Sequence, residues 1–195
     1  MARPREFDAT AALDAIKNVF WLKGYDATSY ADLTEATGLH KQSLYGAFGD
    51  KQALYMRALA AYDDNEVSNG VAMLEGHGQK GSYDGKKRIE ALLNAAIDAV
   101  GKHQDRRGCL LCNAAIDRAP FDPEVETVVS SGVMRIQKAV EKALKSDPTL
   151  KKKNLNLAQT STMVTAAYFG IRVMAKSGIP PAIMKSARDG ALKSI

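Results

Sequence analysis

Cys109 and Cys112, spaced as a CxxC motif, are the residues of this chain best suited to chemistry. Arg106 and Arg107 come just before them, and the pair falls at the start of a predicted helix. Basic neighbours and the positive end of a helix both lower the pKa of a thiol, and the thiolate is the reactive form. The motif therefore indicates a sensor of oxidants or electrophiles. Cysteines also pack inertly as small hydrophobic residues or line a pocket, so that interpretation stays open.

Other chemistries find less support in the sequence. A tetrahedral metal site needs further ligands, and only His103 lies near the two cysteines. Thioredoxin-like enzymes carry their CxxC motif among alternating strands and helices, and no such pattern surrounds this one. The sequence shows no Ser-His-Asp set, phosphate loop or HExxH helix. We keep a CxxC thiol redox protein or enzyme as the alternative function, and we expect no metal and no cofactor.

The elements that would position a nucleic-acid contact lie near the N-terminus. Two short helices joined by a glycine turn are predicted there. Ser29 begins a capping box, and Gly38 fits the position just past the end of the first of these helices. In the second, over residues 41–48, Leu44 and Phe48 share one face, which leaves the polar residues on the others. This pattern is typical of a DNA-binding helix-turn-helix, although a protein-binding version remains open.

Polar side chains at the start of such a second helix reach base edges in the major groove. Gln42 is suited to adenine, and Lys41 is suited to guanine or a phosphate. Lys51 begins the next helix, whose free amides offer a phosphate site. On the N-terminal arm, Arg3 and Arg5 are placed to enter a minor groove or to touch phosphate.

Charge supports the DNA-binding hypothesis only through the positions of individual basic residues, and not through the net charge of the N-terminal segment. The net charge of +5 suits an acidic partner, but residues 1–57 hold seven basic and seven acidic residues. The excess lies in later clusters, which we interpret as solvated faces and loops: Lys86 to Arg88, Arg106 with Arg107, and Lys151 to Lys153.

In its first 55 residues or so the chain resembles the tetracycline-repressor (TetR) family of bacterial transcription regulators. The resemblance is carried by Phe20 to Ser29, Asp32-Leu33, Gly38-Leu39, Ser43-Leu44-Tyr45, Phe48, Lys51 and Leu54, with a local echo at Gly108-Cys109-Leu110. It implies that Tyr45 contacts the DNA backbone. Gly46 stands where many members carry a second aromatic residue, which removes one expected contact and leaves room for close approach. The predicted DNA-binding residues are Arg5, Thr28, Ser29, Tyr30, His40, Lys41, Gln42, Ser43, Tyr45, Gly46 and Lys51.

The remainder of the chain predicts further helices. The helix over residues 155–177 is apolar on two sides, with Val164 and Ile171 on one and Met163 and Gly170 on the other. Such a helix is either buried in a core or shared with a second subunit. A four-helix contact with the last helix would make a homodimer, and the family resemblance implies the same arrangement. A core helix in a monomer stays open.

Side chains between these helices are candidates to line a ligand cavity, although such residues are usually core. They are Met73, Cys109, Cys112, Asn113, Ile116, Met134, Met163, Tyr168 and Arg172. Arg172 among apolar neighbours indicates an anionic or polar ligand, and a salt bridge at the surface or between subunits explains it equally well.

Together these observations predict an all-α, nine-helix, two-domain repressor. Residues 1–52 would be the helix-turn-helix DNA-binding domain, and residues 53–195 the ligand-binding and dimerisation domain. We expect a cytoplasmic homodimer, without a membrane segment, that binds a palindromic double-stranded DNA operator. A small-molecule inducer or an oxidative signal would release it, with the fourth predicted helix, residues 51–74, as the lever.

Overall fold

The computed structural model describes residues 7–77, 84–150 and 155–195. Within those ranges the chain forms nine helices and no strand, which confirms the all-α prediction. They are α1 (Ala9–Lys23), α2 (Tyr30–Thr37), α3 (Lys41–Phe48), α4 (Lys51–Tyr62 with Asp63–Val67 and Ser68–Glu75), α5 (Gly85–Gly101), α6 (Leu110–Asp117), α7 (Pro123–Ser146), α8 (Leu157–Lys176) and α9 (Pro181–Lys193). A short 3-10 turn, Ala119–Phe121, follows α6. Arg3, Arg5 and Lys151 to Lys153 lie outside the described residues.

Local signals in the sequence set the ends of the first three helices. The carboxylate of Asp8 accepts the backbone N–H groups of Thr10 and Ala11 and so caps α1. Ser29 and Asp32 form the predicted capping box at the start of α2. Gly38 ends α2 with φ +69°, a left-handed conformation that glycine adopts without strain.

An aromatic cluster joins the first helices to α4. The ring of Tyr55 lies edge-on to Phe20, with ring centroids 5.0 Å apart, and to Tyr25, at 4.9 Å. Leu33 and Leu44 are fully buried in the same continuous core. Burial of these apolar faces fixes how α2 and α3 sit on α1 and α4.

The fourth helix extends to Glu75, as predicted, but it is not uniform. A π-helical segment, Asp63–Val67, interrupts it. Asp63 forms an ion pair with Arg135 of α7, and the Ser68 hydroxyl donates to the backbone oxygen of Asp63 at 3.0 Å. These side-chain contacts accompany the wider turn, a feature that hydrophobic spacing alone does not reveal.

Helices α5, α7, α8 and α9 pack together to form the second half of the molecule. Gly85 lets the start of α5 approach the end of α7, because a Cβ atom there would lie 2.0 Å from the backbone oxygen of Ala143. Among the described helices, none is both long enough and apolar enough to cross a membrane.

Several residues of the basic clusters are structural, which corrects their interpretation as solvated surface. Arg88 is buried and donates to the Ser146 hydroxyl at 2.6 Å. Lys86 donates to the backbone oxygen of Ile195 at 2.7 Å. The guanidinium of Arg107 lies 4.0 Å from the ring centroid of Trp21. Their long side chains pack against neighbouring residues in addition to carrying charge.

Candidate functional site

Helix α3 presents a polar, solvent-exposed face. Lys41, Gln42 and Ser43 are exposed in its first turn, and the Tyr45 side chain is 58% exposed. On the opposite side Leu44 is fully buried. The face is therefore held rigidly by the core while its functional groups stay available, as major-groove recognition requires.

The neighbours of this face extend it along the surface. Tyr30, at the start of α2, lies under the Lys41 ammonium, whose Nζ atom is 4.7 Å from the ring centroid. This cation–π contact orients the lysine. His40 and Gly46 are exposed, and Ser29 is exposed although its hydroxyl hydrogen-bonds with Asp32 in the capping box.

The side chains of two residues predicted to bind DNA make contacts within the protein. Thr28 is buried, and its hydroxyl donates to the Gly24 oxygen at 2.6 Å. The hydroxyl therefore stabilises the turn before α2, and a contact of Thr28 with DNA stays a prediction. Lys51 is half-buried, with its Nζ atom 4.6 Å from the Tyr25 ring centroid and 3.4 Å from the Asp26 oxygen.

A second cluster surrounds the CxxC motif. Cys109 is 3% exposed, and its sulfur lies 3.4 Å from the Tyr62 hydroxyl. That hydroxyl accepts a hydrogen bond from Arg172 at 3.1 Å. A chain of contacts therefore links the Cys109 sulfur to a guanidinium.

The charges of this cluster are interdependent. Hydrogen bonding from the Cys112 thiol, with help from Arg172 and Tyr62, lowers the pKa of Cys109 below its ordinary value despite burial. The same interaction raises the pKa of Cys112. Burial raises the pKa of Tyr62 well above its ordinary range. Cys109 is thus the thiol that ionises first, and Cys112 stays protonated.

A cavity of about 400 Å³ opens beside Cys112, where the first helix meets α6 and α8. Four predicted ligand residues line it: Cys112, Asn113, Ile116 and Arg172. Sequence reasoning missed its other walls, namely Lys23, Gly24, Asp117, Val173, Lys176 and Ser177. We call this space the junction cavity.

A second cavity of about 240 Å³ lies on the other side of Arg172. Met73, Tyr168 and Arg172 line it as predicted, together with Trp21, Asn69, Leu92 and Arg107, which were not predicted. Met134 and Met163 are exposed and border neither of these two cavities. Cys109 is buried behind the wall and also borders neither.

Helix α6 ties the cysteine cluster to α1. The Trp21 indole donates to the Gly108 oxygen at 3.3 Å, and the Asn113 amide donates to the Trp21 oxygen at 3.0 Å. One turn later the Asp117 carboxylate accepts the backbone N–H of Tyr25 at 3.0 Å. We call these three hydrogen bonds the α1–α6 clamp.

A metal-binding interpretation of the cysteines gains nothing from the structure. In the described part of the chain, no three His, Cys, Asp or Glu side chains gather in a group that could hold an ion. The donor set around Cys109 is a thiol, a phenol and a guanidinium, which suits a thiolate better than a cation.

Comparison with known proteins identifies the fold. Residues 12–58 match the family described as bacterial regulatory proteins, tetR family. A solved structure of CifR, a TetR family transcriptional regulator carrying cysteine substitutions and bound to 26-base-pair double-strand operator DNA, superimposes with a TM-score of 0.83. The two are 27% identical, and the match covers 98% of each chain.

Two curated relatives match the chain over part of its length. YezE of Bacillus subtilis (strain 168), an uncharacterised HTH-type transcriptional regulator, is 30% identical over 64% of this chain and 62% of its own. The HTH-type transcriptional repressor ComR of Escherichia coli (strain K12) is 33% identical over 66% of this chain and 60% of its own. The chain thus spans less than two thirds of either relative. All of these proteins are named as transcription regulators, which counts against the alternative of a thiol redox enzyme.

Proposed function

Because the chain belongs to the tetracycline-repressor family of bacterial transcription regulators, we propose that it represses transcription as a homodimer on a palindromic DNA operator. The observation that carries the proposal is the exposed polar face of α3, anchored from behind by Leu44 and Phe48. A rigid helix that displays donors and acceptors at its N-terminal end is the shape that the major groove admits. A small molecule or an oxidant sensed in the C-terminal half releases the repressor.

Each residue of the α3 face has a distinct task. Gln42 reads a base edge with its amide, and the Lys41 ammonium, held over Tyr30, pairs with a guanine or a phosphate. The Tyr45 hydroxyl donates to a phosphate oxygen and fixes the register of the helix without reading sequence. Both halves of a palindrome are bound when two such helices lie about one turn of DNA apart.

The homodimer is supported by an uncovered apolar stripe on α8. Met163, Ala166, Gly170 and Val173 recur at spacings of three, four and three residues, so they share one face. Met163 and Val173 are each 42% exposed, and a Cβ atom at Gly170 would meet nothing within 4 Å. A second copy of α8 with α9 fits this surface, because small residues allow helices to approach closely.

The signal is proposed to enter around Arg172. This arginine borders both cavities and forms no ion pair with a carboxylate in the described part of the chain. A small anionic or polar molecule would accept a hydrogen bond from its buried Nε atom, which has no partner within the described residues. By linkage, a ligand that prefers the conformer with wrongly spaced α3 helices lowers operator affinity.

The proposal is tested by selecting bound sequences from random duplexes with the purified chain, followed by gel shifts on the selected duplex. Tyr45→Ala and Lys41→Ala should each abolish or strongly weaken binding while the dimer stays folded. Tyr45→Phe separates the ring from its hydroxyl, and Lys138→Ala, on the exposed surface of α7, is a matched control for lost charge. Unchanged affinity of both α3 variants would refute the assignment.

A further inference from the structure

Arg172 carries a partly buried charge that no carboxylate within the described residues pairs with. Its Nε atom is buried without a hydrogen-bond partner, and its guanidinium donates to Tyr62. The nearby carboxylate of Asp105 is paired instead with Arg107, at 2.7 Å. A buried cation requires a counter-charge, and Cys109, reached through the Tyr62 hydroxyl, carries the most acidic group of the cluster. The structure thus holds Cys109 ready as a thiolate.

Cys112 complements Cys109 in position and in protonation. Cys109 is the N-cap of α6, and Cys112 lies three residues further on in the first turn. Cys109 is shut off from solvent, while Cys112 forms part of the wall of the junction cavity. A small reagent in that cavity therefore meets a protonated thiol with a thiolate directly behind it.

We propose that Cys109 and Cys112 are a reversible oxidation site for hydroperoxides, and that a disulfide between them releases the α1–α6 clamp. The proposal rests on the proposed function, because the released clamp is what lowers operator affinity. It adds the chemical class of the signal and the element through which the signal reaches the DNA-binding helices.

The reaction proceeds in two balanced steps. When the Cys112 side chain moves aside in the cavity wall, the Cys109 thiolate attacks the terminal oxygen of the hydroperoxide; an S–O bond forms, the O–O bond breaks, and the alkoxide leaves as an alcohol after taking up a proton. The Cys112 sulfur then attacks the Cys109 sulfenic acid, forming the S–S bond and expelling water with the proton of Cys112. The two cysteines lose two electrons, and the peroxide gains them.

The disulfide changes the geometry of the first turn of α6. Cys109 is the N-cap, with extended backbone dihedrals, and its side chain is in hydrogen-bond contact with that of Cys112. The S–S bond of a disulfide is about 2 Å long, shorter than a hydrogen bond between two thiols, so the two side chains must move towards each other. Gly108 and Asn113 flank the two cysteines directly, and both hydrogen-bond Trp21. Movement of this turn therefore reaches α1 without passing through the rest of the core.

Trp21 provides a readout that does not depend on DNA. It is the only tryptophan of the chain, and its indole lies between the Arg107 guanidinium, the Tyr62 ring and the Gly108 oxygen. We expect hydrogen peroxide to shift its fluorescence emission and a dithiol reductant to restore it. The Cys109→Ser/Cys112→Ser double variant, treated identically, controls for methionine oxidation.

The Cys109–Cys112 disulfide is measured by mass spectrometry and by counting free thiols. The chain holds two cysteines, so a monomer that has lost both thiols without gaining oxygen contains this bond. Cys112→Ser should stop at the sulfenic acid, which dimedone traps at Cys109. Operator affinity, measured by fluorescence anisotropy on the selected duplex, should fall about tenfold on oxidation and recover on reduction.

The outcomes separate the two proposals. A reduced chain that forms the disulfide and shifts its Trp21 emission, yet binds no duplex, overturns the proposed function and leaves the oxidation site standing. Retained thiols, or a cross-link between two chains instead, would overturn the oxidation site. A disulfide that changes neither emission nor affinity would overturn the coupling through the clamp.

Discussion

At the level of single residues, polar side chains of the same segment serve opposite purposes in this protein. Gln42 and Thr28 are both polar residues of the helix-turn-helix segment, yet one faces solvent and the other closes a turn. Hydrophobic periodicity distinguishes an exposed side chain from a buried one only within a helix. Thr28 precedes α2, where side-chain direction follows from the turn and not from a helical repeat.

The capping box of α2 should make the free energy of unfolding depend on pH in the acidic range. A hydrogen bond from Lys23, with further bonds from Ser29, lowers the pKa of Asp32 to about 2. Because this folded pKa lies below the ordinary value of about 4, the ionised carboxylate stabilises the fold above pH 4. That contribution is lost as the pH falls towards 2.

Asp32→Asn is the variant that tests this linkage. Urea unfolding should show a clear loss of stability at pH 7 and a smaller loss at pH 3, where the native carboxylate is becoming protonated. An equal loss at both values would mean that the charge of Asp32 contributes nothing. Ser29→Ala, which removes the cap hydroxyl, should cost about 1 kcal/mol at pH 7.

The thiolate character of Cys109 predicts an unusual pH profile. Since the pKa of Cys109 is lowered chiefly by the Cys112 thiol, its alkylation by iodoacetamide, although slowed by burial at every pH, should keep its rate below pH 8, where the rate of an ordinary thiol falls. Cys112, whose pKa is raised, should react only at higher pH. Tandem mass spectrometry of the tryptic peptide over residues 108–118 assigns the two sites. Identical profiles for both cysteines would contradict the charge assignment.

At the level of elements, the sequence predicted the helices well and their joints less well. The predicted third helix, residues 41–48, is found at the same bounds, because leucine and phenylalanine spacing, a glycine stop and a following cap all agree. The π-helical segment of α4 escaped prediction, since its causes, such as the ion pair of Asp63 with Arg135, join residues far apart in the chain. For the same reason the walls of the junction cavity were found only in part.

The close approach of α5 to α7 yields a stability prediction. Gly85→Ala places a methyl group against the backbone oxygen of Ala143, which cannot move aside as a side chain would. We expect a loss of about 1–3 kcal/mol in the free energy of unfolding, measured with urea.

Gly101→Ala is the matched control at the other end of α5. Its Cβ atom would meet Pro181 at an ordinary distance of 3.9 Å. The substitution should be neutral, or stabilising by up to about 1 kcal/mol through helix propensity. Equal effects at the two positions would show that α5 and α7 are not in close backbone contact at Gly85.

At the level of the whole molecule, two copies must meet before two recognition helices have a defined separation. Gly170→Arg tests the proposed α8 interface, because the monomer leaves open space at this position. Analytical ultracentrifugation should show a monomer with unchanged helical content, and operator affinity should fall sharply. Lys185→Glu, on the side of α9 away from its exposed residues Ile183 and Gly190, should remain dimeric. A dimer that tolerates Gly170→Arg would place the interface elsewhere.

The α1–α6 clamp also bears on how such regulators are rebuilt. Trp21 belongs to the helix-turn-helix half, yet Arg107, Gly108 and Asn113 of the other half cover it. A chimera joined at residue 52 would expose the Trp21 indole to solvent and leave the DNA-binding half poorly folded and prone to aggregation. A chimera that transfers residues 105–117 together with the DNA-binding half keeps the indole buried. The boundary for domain exchange is therefore set by the contacts of this tryptophan and not by the order of the chain.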